Sequence, residues 1–313
     1  MTTPGYRGHY FNITEDWWID DHATEVPEPD PTRDLSKFLY TSLPADLPAG
    51  NKDVLILMAA YYGDIDRYSR LRRPMIIAKE VNCLMRGIYH NTLFARWWAD
   101  QFSDPASTDA SRIPFRFNSF LKRAITARYI MNNDLSRVTA TTPAYELPYC
   151  IWYPGHPARE TVAALVKRRP EMRQQAARTC IVAGFTNQFD EIDPEPDAPL
   201  MAEAKSSGDP HFLCVLEQKV AAGANVKPIS GAGDRWKMLT RDQLAEPQLP
   251  PFVLWRAVDE KSITTHESFP GIYEGFGVDT GALELSVCPR DTVLAEGRER
   301  MDLNEMYGTT ECR

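Results

Sequence analysis

His90 sits between Tyr89 and Asn91, and a second polar turn, Asn132-Asn133-Asp134, follows further along the chain. An imidazole changes charge near neutral pH, so His90 is the candidate general base. Asp64 or Asp134 would orient that ring or hold a cationic group of a substrate. Asn91 and Asn133 offer amide groups beside it. His156, between two prolines in WYPGHP, belongs to a stiff loop suited to facing a cleft. The rings of Tyr61, Tyr89, Trp98 and Trp152 complete the candidate substrate-binding set, because an organic group or a base can stack on them. The competing reading is plainer. Asn and Asp cap helices and make turns, and the rings fill the core.

Positive charge is concentrated in the same stretch. Residues 67–180 hold 19 Lys and Arg against 8 Asp and Glu, although the whole chain is at −8. The basic residues fall in three clusters: Arg67, Arg70, Arg72 and Arg73; Lys122, Arg123 and Arg128; and Lys167, Arg168, Arg169, Arg173 and Arg178. Aligned along one face, they would follow a phosphate backbone, each contact releasing counterions. Turned toward the acidic flanks, they would fasten the fold internally.

Several chemistries lack their residues. The sequence holds no H-x-x-x-H, H-E-x-x-H or C-x-x-C, no phosphate-binding G-x-x-x-x-G-K-[ST] and no G-x-S-x-G, so neither a metal nor a cofactor is expected. Six scattered cysteines read as free thiols in a reducing compartment, which points to the cytoplasm. No apolar run is long enough to span a membrane.

The elements that must position these residues are mostly helices. Residues 1–50 read as an aromatic arm ending in the proline-rich linker EVPEPDPTRD, residues 51–230 as a helical domain, and residues 231–313 as a cap with short strands and a tail. Within the middle, DVLILMAAYYGDIDRYSRLRRP predicts a helix, a tight turn at Gly63 and a second helix stopped by Pro74.

That unit resembles an ankyrin repeat, with Ala59, Ala60 and Gly63 at the spacing where small residues let neighbouring repeats approach. Residues 199–226 resemble a second, degenerate copy with Gly208 in its inter-helix turn. The irregular spacing of the intervening turns departs from a uniform array. The expected fold is therefore mostly α, an irregular ankyrin-like stack of helix pairs with an extended N-terminal arm and a small mixed α/β C-terminal cap.

Through LILMAAYYGDIDRYSRLRRP, ITARYIMNNDLSRV and ELPYCIWYPGHP the chain also resembles a group of ankyrin-like proteins of filamentous fungi. By association, it resembles fungal enzymes that make arginine-containing cyclic dipeptides from aminoacyl-tRNA. The resemblance implies a cofactor-independent transferase whose basic middle holds tRNA and whose turns hold the aminoacyl group. Two other expectations stand beside it. One is a protein-interaction scaffold, the usual role of ankyrin-type stacks. The other is a cofactor-independent cyclase or isomerase with an aromatic pocket.

Overall fold

The structure is a computed structural model that describes residues 38, 41–46, 53–71, 76, 78–111, 113, 115–229, 237–245, 263–265 and 283–285. Chain contacts divide it into two units: residues 56–248 with 267–282, and residues 1–55 with 249–266 and 283–313. In the latter unit the described regular structure includes an antiparallel pair of three-residue strands, β1 (Ile263–Thr265) and β2 (Leu283–Leu285), with Thr264 opposite Glu284. The aromatic arm expected over residues 1–50 lies almost wholly outside the described residues, as does most of the expected α/β cap.

The larger unit is helical, in agreement with the expected class. It begins with α1 (Asp53–Tyr62), whose first residues belong to the other unit, α2 (Ile65–Leu71), α3 (Ala78–His90) and α4 (Thr92–Ser103). Then come α5 (Thr108–Ser111), α6 (Phe115–Met131), α7 (Arg159–Arg168), α8 (Arg173–Ala183) and α9 (Thr186–Ile192). The last are α10 (Ala198–Ser206), α11 (Pro210–Ala221) and α12 (Arg241–Ala245). The segment 160–189, which reads from sequence as a helical unit with a polar turn, is interrupted at Pro170, where a 3-10 turn over Pro170–Met172 separates α7 from α8. Proline has no amide hydrogen for the helix ladder, so the break falls where the chemistry requires it.

The helices come in pairs. α3 packs on α4 and α6, α8 on α9, and α10 on both α11 and α8. Four of them stop in the same way. The amides of Gly63 and Asp64 donate to Ala60 and Ala59, and the same pattern closes α6 at Asn133-Asp134, α8 at Gly184-Phe185 and α11 at Gly223-Ala224. The motif needs a left-handed residue, and Gly63 takes it at φ 67. Asn133 takes it at φ 65, which asparagine tolerates better than other residues with a Cβ.

Small residues let the first hairpins approach. A Cβ built on Gly87, in α3, would stand 2.0 Å from the carbonyl oxygen of Ala60, in α1. Ala59 and Ala60 are themselves buried, as the sequence pattern requires. The core of the second half runs from Val162 and Cys180 through Phe189 to Phe212 and Leu216.

Candidate functional site

The hairpin turns are joined side by side, and this row carries most of the candidate residues. Asn91 caps α4, its Oδ1 accepting from the amides of Leu93 (2.9 Å) and Phe94 (3.2 Å). Its Nδ2 donates back to the Gly63 carbonyl oxygen at 3.0 Å, tying the α3–α4 turn to the α1–α2 turn. On the other side, Asn132 at the end of α6 donates through Nδ2 to the Thr92 hydroxyl at 3.0 Å. Asn133 continues the row: its Oδ1 accepts from the Ala158 amide (2.6 Å) and the Thr161 hydroxyl (3.0 Å), which secures the start of α7.

The loop ahead of α7 crosses this row. Tyr89 donates through its hydroxyl to the Cys150 carbonyl at 3.4 Å. The His90 ring meets Tyr153 edge-on with centroids 5.7 Å apart, and the His156 ring meets Phe185 edge-on at 5.8 Å. The structure thus brings His90, Asn133 and His156 onto one loop, Tyr153–Ala158.

It does not bring the two aspartates to His90. Asp64 accepts from the Arg67 amide at 3.1 Å and pairs loosely with the Arg67 Nε at 3.8 Å, so it caps α2. Asp134 accepts from the Ser136 amide at 2.8 Å in its own turn. Hydrogen bonds from Ser136 hold its carboxyl below the usual carboxylate range, with a further push from the nearby charges of Arg96 and Arg137. Neither carboxylate contacts an imidazole.

The stacking rings are packed inside. Trp98 and Trp152 are fully buried, and Tyr61 and Tyr89 nearly so. Tyr61 carries the Arg86 guanidinium 4.0 Å above its ring, and Trp152 carries that of Arg178 at 4.5 Å. Large apolar side chains that do face solvent include Tyr62 and Leu93, 49% and 63% exposed, which stand next to the joined turns.

The basic clusters are largely engaged within the protein. Arg128 donates through Nε and Nη2 to the Thr92 hydroxyl (3.0 and 2.9 Å) and through Nη1 to the Tyr89 carbonyl (3.0 Å). Arg168 holds the carbonyls of Leu135 and Val138, and the buried Arg169 those of Thr139 and Thr142. Lys122 pairs with Glu146 at 2.9 Å, and Arg123 donates to the Tyr145 carbonyl. Arg67 pairs with Asp64 and Arg70 is half-buried, whereas Lys167 is exposed. Arg72 and Arg73 lie outside the described residues. Arg178, fully buried, is the most heavily engaged: it pairs with Glu203 at 2.7 Å and donates to the Tyr149 hydroxyl and to the carbonyls of Lys237 and Leu239.

No family model matches the chain, and no curated protein or solved structure matches it either. Among the described residues, no helix is long and apolar enough to cross a membrane, and no group of three or more His, Cys, Asp or Glu is placed to hold a metal ion. Sequence reasoning passes over Arg86, Arg96 and Arg137, which the structure places at or beside the joined turns. A signal for Arg96 is present: it follows Thr92 by four residues on a helix, which puts the two on one face.

Proposed function

We propose that the chain is an ankyrin-like stack of helical hairpins acting as a protein-interaction scaffold, with the row of joined turns as its docking face. One observation carries this reading. The guanidinium groups of the basic middle are engaged by backbone carbonyls and carboxylates inside the fold, while the turns expose Tyr62 and Leu93. Charge used as fastening is not available along an extended polyanion, and exposed apolar side chains on a rigid scaffold suit a protein ligand. The test is the mass of the protein isolated from its own cells, measured by light scattering before and after nuclease. A heteromer that survives nuclease and is lost in Leu93→Asp supports the scaffold. A monomer, or a complex that nuclease dissolves, overturns it.

A second reading, RNA-dependent aminoacyl transfer toward a cyclic dipeptide, is favoured by the contact of the His90 ring with Tyr153, on the loop that also carries His156. There catalysis rests on positioning and on His90 as base, with tRNA held by what charge is left outside, Lys167 included. Its signature is nucleic acid that accompanies the purified protein and leaves in a high-salt wash, read as the ratio of absorbance at 260 to 280 nm. The aromatic-pocket cyclase draws less support, since Trp98 and Trp152 are packed in the core.

A further inference from the structure

A groove of about 370 Å³ lies between the C-terminal end of α10 and the start of α12, lined by Ala202, Lys205, Ser206, Thr240, Asp242 and Gln243. That volume is at the lower end of the range for small-molecule sites. Its two walls are fixed to one another. The Arg241 amide donates to Glu203 Oε1 at 3.0 Å, and Arg178 holds the Lys237 and Leu239 carbonyls just ahead of it. Across the groove the Ser206 hydroxyl donates to Asp242 Oδ2 at 3.4 Å. Gln243 accepts through Oε1 from the Thr240 amide at 2.9 Å, which orients its carboxamide and leaves Nε2 as a donor. Two opposite charges line this one groove without meeting. Lys205 and Asp242 are both exposed, and among the described residues neither stands in an ion pair, so their charged ends are held further apart than the roughly 4 Å of such a pair.

We infer that this groove binds a small zwitterion, a free amino acid, with its carboxylate on Lys205 and the Gln243 Nε2 and its ammonium on Asp242. A ligand of one sign would be attracted at one end of the groove and repelled at the other. A zwitterion satisfies both ends, and each contact is a hydrogen bond between charged groups, the strong kind. The Ser206 hydroxyl, already bonded to one carboxylate oxygen of Asp242, leaves the other oxygen to accept from the ammonium. Ala202 is the apolar part of the lining, against which the side chain of the amino acid lies. The site shares no residue with the proposed docking face and stands or falls separately from it.

The test titrates the full chain with each of the common L-amino acids by calorimetry, up to about 10 mM, since charge-assisted contacts at both ends correspond to a Kd of about 1 mM or lower. At least one should bind in that range. Its N-acetyl and α-amide derivatives, each missing one charge, should bind at least roughly tenfold more weakly, the size of one such contact. Lys205→Met should erase the difference between the free acid and its amide while keeping that between the free amine and its N-acetyl form. Asp242→Asn should do the reverse. Both side chains are exposed, so neither variant should melt earlier than the wild type. A readout on the unaltered protein is the amide NMR spectrum, in which Lys205, Ser206, Asp242 and Gln243 should shift during the titration. Heat of binding without shifts at these four would put the ligand elsewhere and overturn the proposal. Binding by none of the amino acids, equal binding of the blocked forms, or discrimination unchanged in both variants would overturn it as well.

Discussion

The Nη1 of Arg128 donates to the Tyr89 carbonyl oxygen at 3.0 Å, so a cation carried by α6 closes the C-terminal end of α3. Arg86, on α3, does the same for α1 by donating to the Tyr61 carbonyl at 3.1 Å. The last carbonyls of a helix lack partners in the helix and carry the negative end of its dipole, so a guanidinium there satisfies both the hydrogen bond and the field. α3 is thereby fixed to α1, and α6 to α3.

Arg128→Met should therefore destabilise the protein while keeping the packed stem of the side chain. Hydrogen bonds from charged groups contribute about 1.5–3 kcal/mol, and three bonds shared between two oxygens place the expected loss near 2 kcal/mol. Urea unfolding measures it. A loss under about 0.5 kcal/mol, the size of an ordinary surface change, would show that this arginine is no fastener.

Gly87→Ala tests the close approach of α1 and α3. The new methyl would stand 2.0 Å from the Ala60 carbonyl, and the two helices must part to admit it. Overpacking of this kind costs about 1–3 kcal/mol or more. Gly155→Ala is the control, because nothing lies within 4 Å of its added Cβ. Thermal melting should show a clear drop for the first variant and little change for the second. Equal behaviour would refute the close approach.

These positions mark how far the sequence could be read. The turn at Gly63 was legible because glycine, a preceding apolar helix and a following polar one coincide. Asn132-Asn133-Asp134 was legible as a turn for a similar reason. The roles of Asp64, Asn91 and Asp134 were less so, since a capping residue and a catalytic residue carry the same functional groups. What separates them is a neighbour's position, here the amides of Arg67, Leu93 and Ser136. The positive stretch was visible as a charge excess, but its orientation was not. Main-chain carbonyls that receive a guanidinium have no signature in the identity of their residues. Gly87 did leave a trace, as a lone glycine inside a helical pattern.

Alkaline pH should weaken the fold through Cys180 and Tyr149. Burial pushes the Cys180 thiol up to about 12 from its ordinary 9.0, and burial likewise raises the Tyr149 hydroxyl to about 12 from 10.0. For an acid whose pKa is raised by folding, the unfolded chain gives up its proton first. Its stabilising share is complete below the unfolded value and is lost as pH climbs toward the folded one. Stability should fall from about pH 9 with a slope approaching 1.4 kcal/mol per pH unit for each group in its window. Denaturant unfolding at pH 8.0 and 10.5 reads the slope, and Cys180→Ala should flatten its first part. A wild-type slope unchanged by Cys180→Ala would reject the assignment. In the same fold, alkylation of the native protein should label the exposed Cys214 ahead of the buried Cys83, Cys150 and Cys180, as read by peptide mass mapping.

Arg178 and Glu203 form an ion pair at 2.7 Å with both side chains almost wholly buried. Glu203 also accepts from the Arg241 amide at 3.0 Å, and Arg178 holds the Lys237 and Leu239 carbonyls, so the pair anchors residues 237–245 to α8 and α10. Removing one partner leaves a desolvated charge without its counter-ion, which costs about 3–5 kcal/mol. Glu203→Ala should fall in that range. Replacing both with apolar residues of similar size, Arg178→Met with Glu203→Leu, removes the stranded charge and should recover part of the loss. The anchoring bonds are gone in the double variant, so amides around Arg241 should still exchange with deuterium faster than in the wild type. Stability recovered without faster exchange would mean that packing alone holds this segment. A double variant as unstable as the single one would mean that the stranded charge was not the cause.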